Sequence, residues 1–321
     1  MFEVVMYLLY TIIWLAAILG NGFIIYIVIK EKPMQTVTNL FILNLAVGDV
    51  LMAALCIPST FVADLLLHYW PFGSFMCNIV GYSQAVTVFI SAYTLIAISI
   101  DKYRAILHPL KSRITEMNTK LIIMIIWFIS LVTPLPTAIL SKLKKMNLNS
   151  PHMTCIEDWN DNNKRYYYSL TLMSLQYIFP LTVLIYTYVR IAVVLFAKQT
   201  PGEAEDQRDQ RIRASKRKMI KMMMLCVLSY AVCWLPLNTI ILIGDKMPDI
   251  WKHQYIMIIW ISSHWLAMSH SSYNPIIIFT MNAKFRLSLK QLFTNRRSQR
   301  SIRTPTLLAT INNNLQIRQS I

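Results

Sequence analysis

Asp49, Gln84, Gln176, Asp245, His264 and the run Asp101-Lys102-Tyr103 are the side chains with the most chemistry to offer in this chain. Carboxylates, carboxamides and an imidazole set among apolar residues hold a partner through charge and hydrogen bonds. Bond-breaking chemistry is not expected. His264 and His270 stand six residues apart, not one helical turn, and no motif puts a nucleophile beside a base. Asp49, in NLAVGD, is the costliest side chain, because a carboxylate at membrane depth must face a polar interior or be protonated. Asp245 lies 11 residues after Trp234, about 16 Å along the axis if the helix continues. Recognition, rather than catalysis, is the expected work.

Long apolar helices must position these groups. From Asn78 to Ile100 no residue ionises at neutral pH, and about 20 such residues cross a hydrocarbon core. Gln84, Thr87, Ser91, Ile98 and Lys102 recur on one face of that helix, over about five turns and roughly 27 Å. One helix can therefore link a polar pocket near one membrane surface to charges near the other. Six further apolar segments, 4–29, 40–67, 121–140, 166–197, 219–243 and 251–280, make seven spans. The chain is 55% hydrophobic and 14% charged over 321 residues, which excludes an ordinary soluble domain. The expected fold is an all-α membrane protein, a seven-transmembrane helix bundle.

Lysine and arginine set the expected orientation. The first, third and fifth connections and the C-terminal region hold 24 of the 31, so these face the cytoplasm and the N-terminus lies outside. The net charge of +16 expresses that asymmetry, with attraction to anionic inner-leaflet lipid; no folded basic domain for nucleic acid is visible. Cys56, Cys226 and Cys233 fall within spans. Cys77 and Cys155 alone fall outside, on the oxidising side, which predicts a bridge between span three and the second outer loop. The first span reads as a retained anchor, and the lack of any N-x-Ser/Thr acceptor suggests a missing outer tail. Pro58, Pro180, Pro236 and Pro275 predict bends. A mobile inner connection is expected at 199–214, leading into a basic extension of span six. Residues 282–293 read as an amphipathic helix on the inner surface, ahead of a disordered cytoplasmic tail at 294–321.

In order along the chain, Gly20-Asn21, LAVGD, WPFG, Cys77, Asp101-Lys102-Tyr103, Trp127, Cys155, Pro180, Tyr188, CWLP and Asn274-Pro275 resemble the landmarks of rhodopsin-like (class A) G-protein-coupled receptors. The resemblance covers nearly the whole chain. Aminergic members carry an acid where Gln84 stands, and light-sensing members a lysine where Met268 stands. Thr60, Gln84, Gln176, Asp245 and His264 together resemble the ligand set of the neuropeptide Y and RYamide receptor group; a tachykinin-like receptor is the alternative. The resemblance implies a C-terminally amidated Arg-aromatic peptide whose arginine meets Asp245 and whose buried end meets the glutamines. It also implies a heterotrimeric G protein and arrestin as cytosolic partners. No cofactor is expected beyond a sodium ion near Asp49 and Ser91, in a polar network with His270, Ser271 and Asn274.

Two departures fall on the expected activation switch of Asp101, Lys102, Tyr103, Tyr188, Trp234, Pro236, Pro275 and Ile278. The family's arginine is Lys102, which keeps charge but loses the planar fork. The tyrosine closing the NPxxY pattern is Ile278, which has no hydroxyl to offer Tyr188. Weakened or altered coupling is expected, down to a receptor that binds peptide without activating a G protein.

Overall fold

The computed structural model describes residues 2–108, 114–145, 151–197 and 207–293. The expected tail at 294–321, and the first part of the expected inner connection (199–206), lie outside the described residues.

Seven spans are present. Span one is α1 (Phe2–Lys30). Span two is α2 (Val37–Thr60), opened by the Thr36 side chain accepting from Asn39 N and prolonged by a wider π-type turn at Phe61–Leu67. Pro58 sits just before that turn and lacks the N–H that regular α-helical bonding needs. His68 ends the span in the left-handed region, at φ 56°. Span three is α3 (Gly73–Leu107), at 35 residues about 52 Å long. Span four is α4 (Glu116–Val132) and α5 (Leu135–Leu140), broken at Pro134. Then β1 (Ser141–Lys145) and β2 (Met153–Glu157) pair antiparallel, with Leu143 opposite Cys155. Span five is α6 (Asn162–Met173), a second π-type segment at Ser174–Ile178, and α7 (Phe179–Ala197). Span six is α8 (Gln207–Lys246), and span seven is α9 (Ile256–Met281).

The unit Ala283–Ile321 is described separately from 1–282. Its helix α10 (Ala283–Phe293) has the short length expected after span seven, with Lys284, Arg286 and Lys290 among apolar residues.

Span three is the axis of the bundle. It packs on spans two, four, five and six and on β1. Cys77 at its start is bonded to Cys155 on β2, with Cα atoms 5.6 Å apart across 78 residues, as the sequence predicts. That bond and the Trp70 N–H to Met153 carbonyl bond (2.8 Å) hold the hairpin over one end of the bundle. This is called the hairpin end below.

Among the described residues six helices are long and apolar enough to cross a membrane by composition; α9 is not in that set. Its 26 residues suffice in length, but His264, Ser269, His270, Ser271, Ser272 and Asn274 lower its apolar character. All six are buried, so they face other spans instead of lipid. A close approach of span one makes room for this polar helix. A Cβ on Gly20 would stand 2.7 Å from the Pro275 ring. Asn21 Nδ2 donates to the Ser271 carbonyl at 2.9 Å, the interhelical bond expected of Gly20-Asn21.

Three of the boundaries that differ from the sequence reading have a local cause. Trp251 is not in span seven but in a 3-10 turn at Pro248–Lys252, because Pro248 and Asp249 start a turn before the apolar run begins. Arg165 belongs to span five and not to the preceding loop, because Asp161 caps α6 by accepting from Asn163 N. Helix α8 begins at Gln207, well before the expected extension; its charged residues favour helix when a packed span continues it.

Candidate functional site

A cavity of about 620 Å³ opens at the hairpin end. Gln84 of span three, Gln176 of span five and Asp245 of span six all line it, with Trp234 also on its wall. Span six reaches that height because α8 stays helical through Pro236 to Lys246. On this wall Gln176 Oε1 and Trp234 Nε1, like Arg165 Nε, are buried with no hydrogen-bond partner among the described residues. Unmade hydrogen bonds of buried groups are costly, so the Gln176 and Trp234 atoms are suited to a bound polar group or water. The Gln176 carbonyl is bound by the Tyr230 hydroxyl, which anchors the backbone behind the amide.

Asp245 is engaged on both oxygens. Ser169 Oγ donates to Oδ2 at 2.5 Å, and Arg165 Nε lies 2.7 Å from Oδ1. Thr60 and His264 do not line this cavity. His264 is buried behind it, its Nδ1 2.9 Å from the Tyr10 hydroxyl and its ring stacked on Tyr10 at 6.2 Å. Thr60 is the last residue of α2, before the π-type turn.

The sequence reading missed Asp64, Glu157 and Arg165, which also line the cavity. Asp64 shares the cavity lining with Trp260. Its position was legible: it follows Asp49 by about four turns in the same span. Glu157 accepts from Trp159 Nε1 at 2.7 Å and sits on β2, whose existence no sequence pattern announced. Beside it, the Asp158 carboxyl is held below the usual carboxylate range by hydrogen bonds from Lys144 and Lys142.

Deeper in the bundle, Asn274 Nδ2 donates to Asp49 Oδ2 at 2.8 Å. Asp49 Oδ1, Ser91 Oγ and Asn274 Oδ1 are buried without a hydrogen-bond partner among the described residues. His270 joins this group, its Nε2 3.3 Å from Asn274 Nδ2 and its Nδ1 3.4 Å from Ser229 Oγ. Ser271 turns away, donating to the Met268 carbonyl at 2.8 Å. Among the described residues no three His, Cys, Asp or Glu side chains converge as metal ligands.

At the other end, Lys102 Nζ reaches Asp101 Oδ2 at 2.9 Å and also Thr38 Oγ1, while Thr38 donates to Asp101 at 3.1 Å. Tyr103 stacks obliquely on Tyr186 at 6.5 Å. Ile278 is buried, and the Tyr188 hydroxyl has no partner among the described residues. Between the ends, Trp127 Nε1 donates to Asn44 Oδ1 and Asn44 Nδ2 to Thr94 Oγ1, both at 2.8 Å, tying spans two, three and four together.

Seven spans, a bridged hairpin over a polar cavity and an acid paired with Asn274 define a membrane receptor scaffold. Residues 20–278 match the family described as 7 transmembrane receptor (rhodopsin family), and the chain belongs to that family, whose members are multi-pass receptors of the plasma membrane and not enzymes. It is 48% identical to the RYamide receptor of Drosophila melanogaster over 296 residues, 91% of this chain and 63% of that relative. It is 44% identical to the RYamide receptor of Tribolium castaneum, over 89% of this chain and 79% of that one. Similarity to the Substance-P receptor of Rattus norvegicus is 34%, over 88% and 69%. The chain thus spans less than two thirds of the Drosophila protein's length.

Proposed function

We propose that this chain is a neuropeptide receptor whose hairpin-end cavity faces outward and takes a C-terminally amidated peptide ending in arginine and an aromatic residue. The observation that carries this reading is the cavity shared by Gln84, Gln176 and Asp245. The carboxylate offers a partner to a guanidinium, and the uncharged amides offer partners to a neutral peptide end. The names of the insect relatives, RYamide receptors, support the same ligand class. His264, bonded to Tyr10, and Thr60, at the end of α2, stand outside the cavity lining.

The N-terminus is then extracellular and the C-terminus cytoplasmic, which the concentration of Lys and Arg in the other set of connections supports. Peptide that binds one packing of the bundle better shifts the population toward it. Pro236 and Pro275, inside spans six and seven, are the bends available to that change. A heterotrimeric G protein, and arrestin after it, would meet the cytoplasmic ends of spans three, five and six. The test is a screen of synthetic amidated Arg-Tyr and Arg-Phe peptides with calcium and cyclic-AMP readouts, paired with binding. Amidated forms should act and free acids should not; absence of binding by every amidated form removes the reading.

A sodium ion fits the Asp49 cluster, because three buried oxygens from Asp49, Ser91 and Asn274 lack partners and hard cations take oxygen ligands. Asp49→Asn should abolish the sodium sensitivity of agonist binding, and retained sensitivity would exclude the ion. A second reading, peptide capture with little G-protein activation, is favoured by the unpartnered Tyr188 hydroxyl and the apolar Ile278.

A further inference from the structure

We infer that Arg165 is an internal competitor that occupies the place a ligand's arginine would take on Asp245, and so sets the threshold for a cationic ligand. The inference rests on the reading of Asp245 as the guanidinium subsite. Both oxygens of that carboxylate are already engaged, Oδ1 by Arg165 and Oδ2 by Ser169. An arriving cation has to displace one of them.

The geometry says which. The Asp245 side chain is 2% exposed and that of Arg165 is 39% exposed, so the acid is fixed in the wall while the cation reaches solvent. Arg165 approaches through Nε and not along a hydrogen-bond axis, since its Nε has no hydrogen-bond partner among the described residues. This is a one-point, side-on contact. A guanidinium entering end-on can give two parallel N–H bonds to the same carboxylate, the stronger arrangement. An ammonium gives one point charge and gains less over the resident pair. The internal arginine therefore raises the threshold for every cationic ligand, and a guanidinium clears it by more than an ammonium does.

The pair also crosses between spans. Arg165 stands in the first turn of α6, placed there by the Asp161 cap, and Asp245 in the last turn of α8. Exchange of Arg165 for a ligand's guanidinium would remove the ion pair between spans five and six at the mouth. Its place is then taken by a contact to a molecule reaching down toward Gln84, Gln176 and Trp234. Replacement of one ion pair by another keeps Asp245 charged and paired throughout, so no buried carboxylate is left alone.

The experiment uses the full chain in cell membranes with three synthetic amidated peptides that differ only at the arginine: arginine, lysine and citrulline. Arg165→Gln should raise affinity for the arginine peptide roughly three- to tenfold, the scale of a half-exposed ion pair. It should raise the lysine peptide by no more than the arginine peptide and leave the citrulline peptide unchanged. Arg165→Lys serves if Arg165→Gln does not reach the surface, and should give a smaller gain in the same direction. Asp245→Asn is the control, expected to cost the arginine peptide at least tenfold. Unchanged or lower affinity in both Arg165 variants, with the Asp245→Asn loss present, overturns the inference and spares the ligand reading. An arginine peptide that ignores Asp245→Asn overturns both.

Discussion

At the hairpin end a buried acid holds a cation that solvent can reach, whereas at the opposite end acid and cation are buried together. The side-chain exposures are 2% for Asp245 and 39% for Arg165, against 15% for Asp101 and 8% for Lys102. The first pair joins two spans and two distant stretches of chain. The second joins sequence neighbours on one helix, with Thr38 of span two as the third member. An exposed partner exchanges readily because water and salt compete for it; an enclosed one does not. On the proposed reading, the hairpin end suits substitution of one partner by another, and the Asp101 end suits staying closed. With Lys102 in place of the family's arginine, that closed state has fewer alternative partners for its cation.

The largest test of this contrast is removal of the bridge. Cys77→Ser opens a 78-residue loop, and the lost constraint is about 4 to 5 kcal/mol on the chain-entropy model. Hydrogen exchange should rise across 141–157 and peptide binding should fall steeply, with exchange near Asp101 unaltered. Equal loosening at both ends would erase the distinction.

Next in size is repair of the other end. Ile278→Tyr combined with Lys102→Arg should raise the maximal G-protein response several-fold, by giving the Tyr188 hydroxyl a partner and restoring the arginine fork. Peptide affinity should change little. A full response from the unaltered chain, with no gain on repair, would show that Lys102 and Ile278 already suffice.

The smallest effect belongs to the hairpin surface. The Asp158 carboxyl is lowered by Lys144 and Lys142, so what it contributes is present above its ordinary value and is lost as pH falls through the lowered one. Hairpin protection factors, corrected for the intrinsic exchange rate, should therefore be flat from pH 8 to pH 5 and fall only slightly below about pH 4. A step near neutral pH would point to another group.

Periodicity and cost made much of the molecule legible in advance. Apolar runs long enough to cross a bilayer gave all seven spans, the seventh in spite of its histidines and serines, which are hidden between helices. Asp49 was legible because nothing but a polar interior tolerates it, and it meets Asn274. Arg165 was not legible as a site residue. It stood in what read as a loop, and only the Asp161 cap brings it into a helix facing Asp245. Trp251 was misplaced for a similar reason. It leaves the apolar run to pack on Gly244, where a Cβ would stand 2.5 Å from its ring.

The chain's own order of residues determined that it has seven spans, that Cys77 and Cys155 are joined, and which side chains could not be spent on lipid. Those follow from local costs: hydration of charges, helix length, redox compartment. Tertiary structure alone decided that Gln84, Gln176 and Asp245 share a cavity without Thr60 or His264, and that Asp245 already holds an arginine. Helix rotation, π-type turns and loop entry angles set those relations, and each depends on how seven surfaces pack at once.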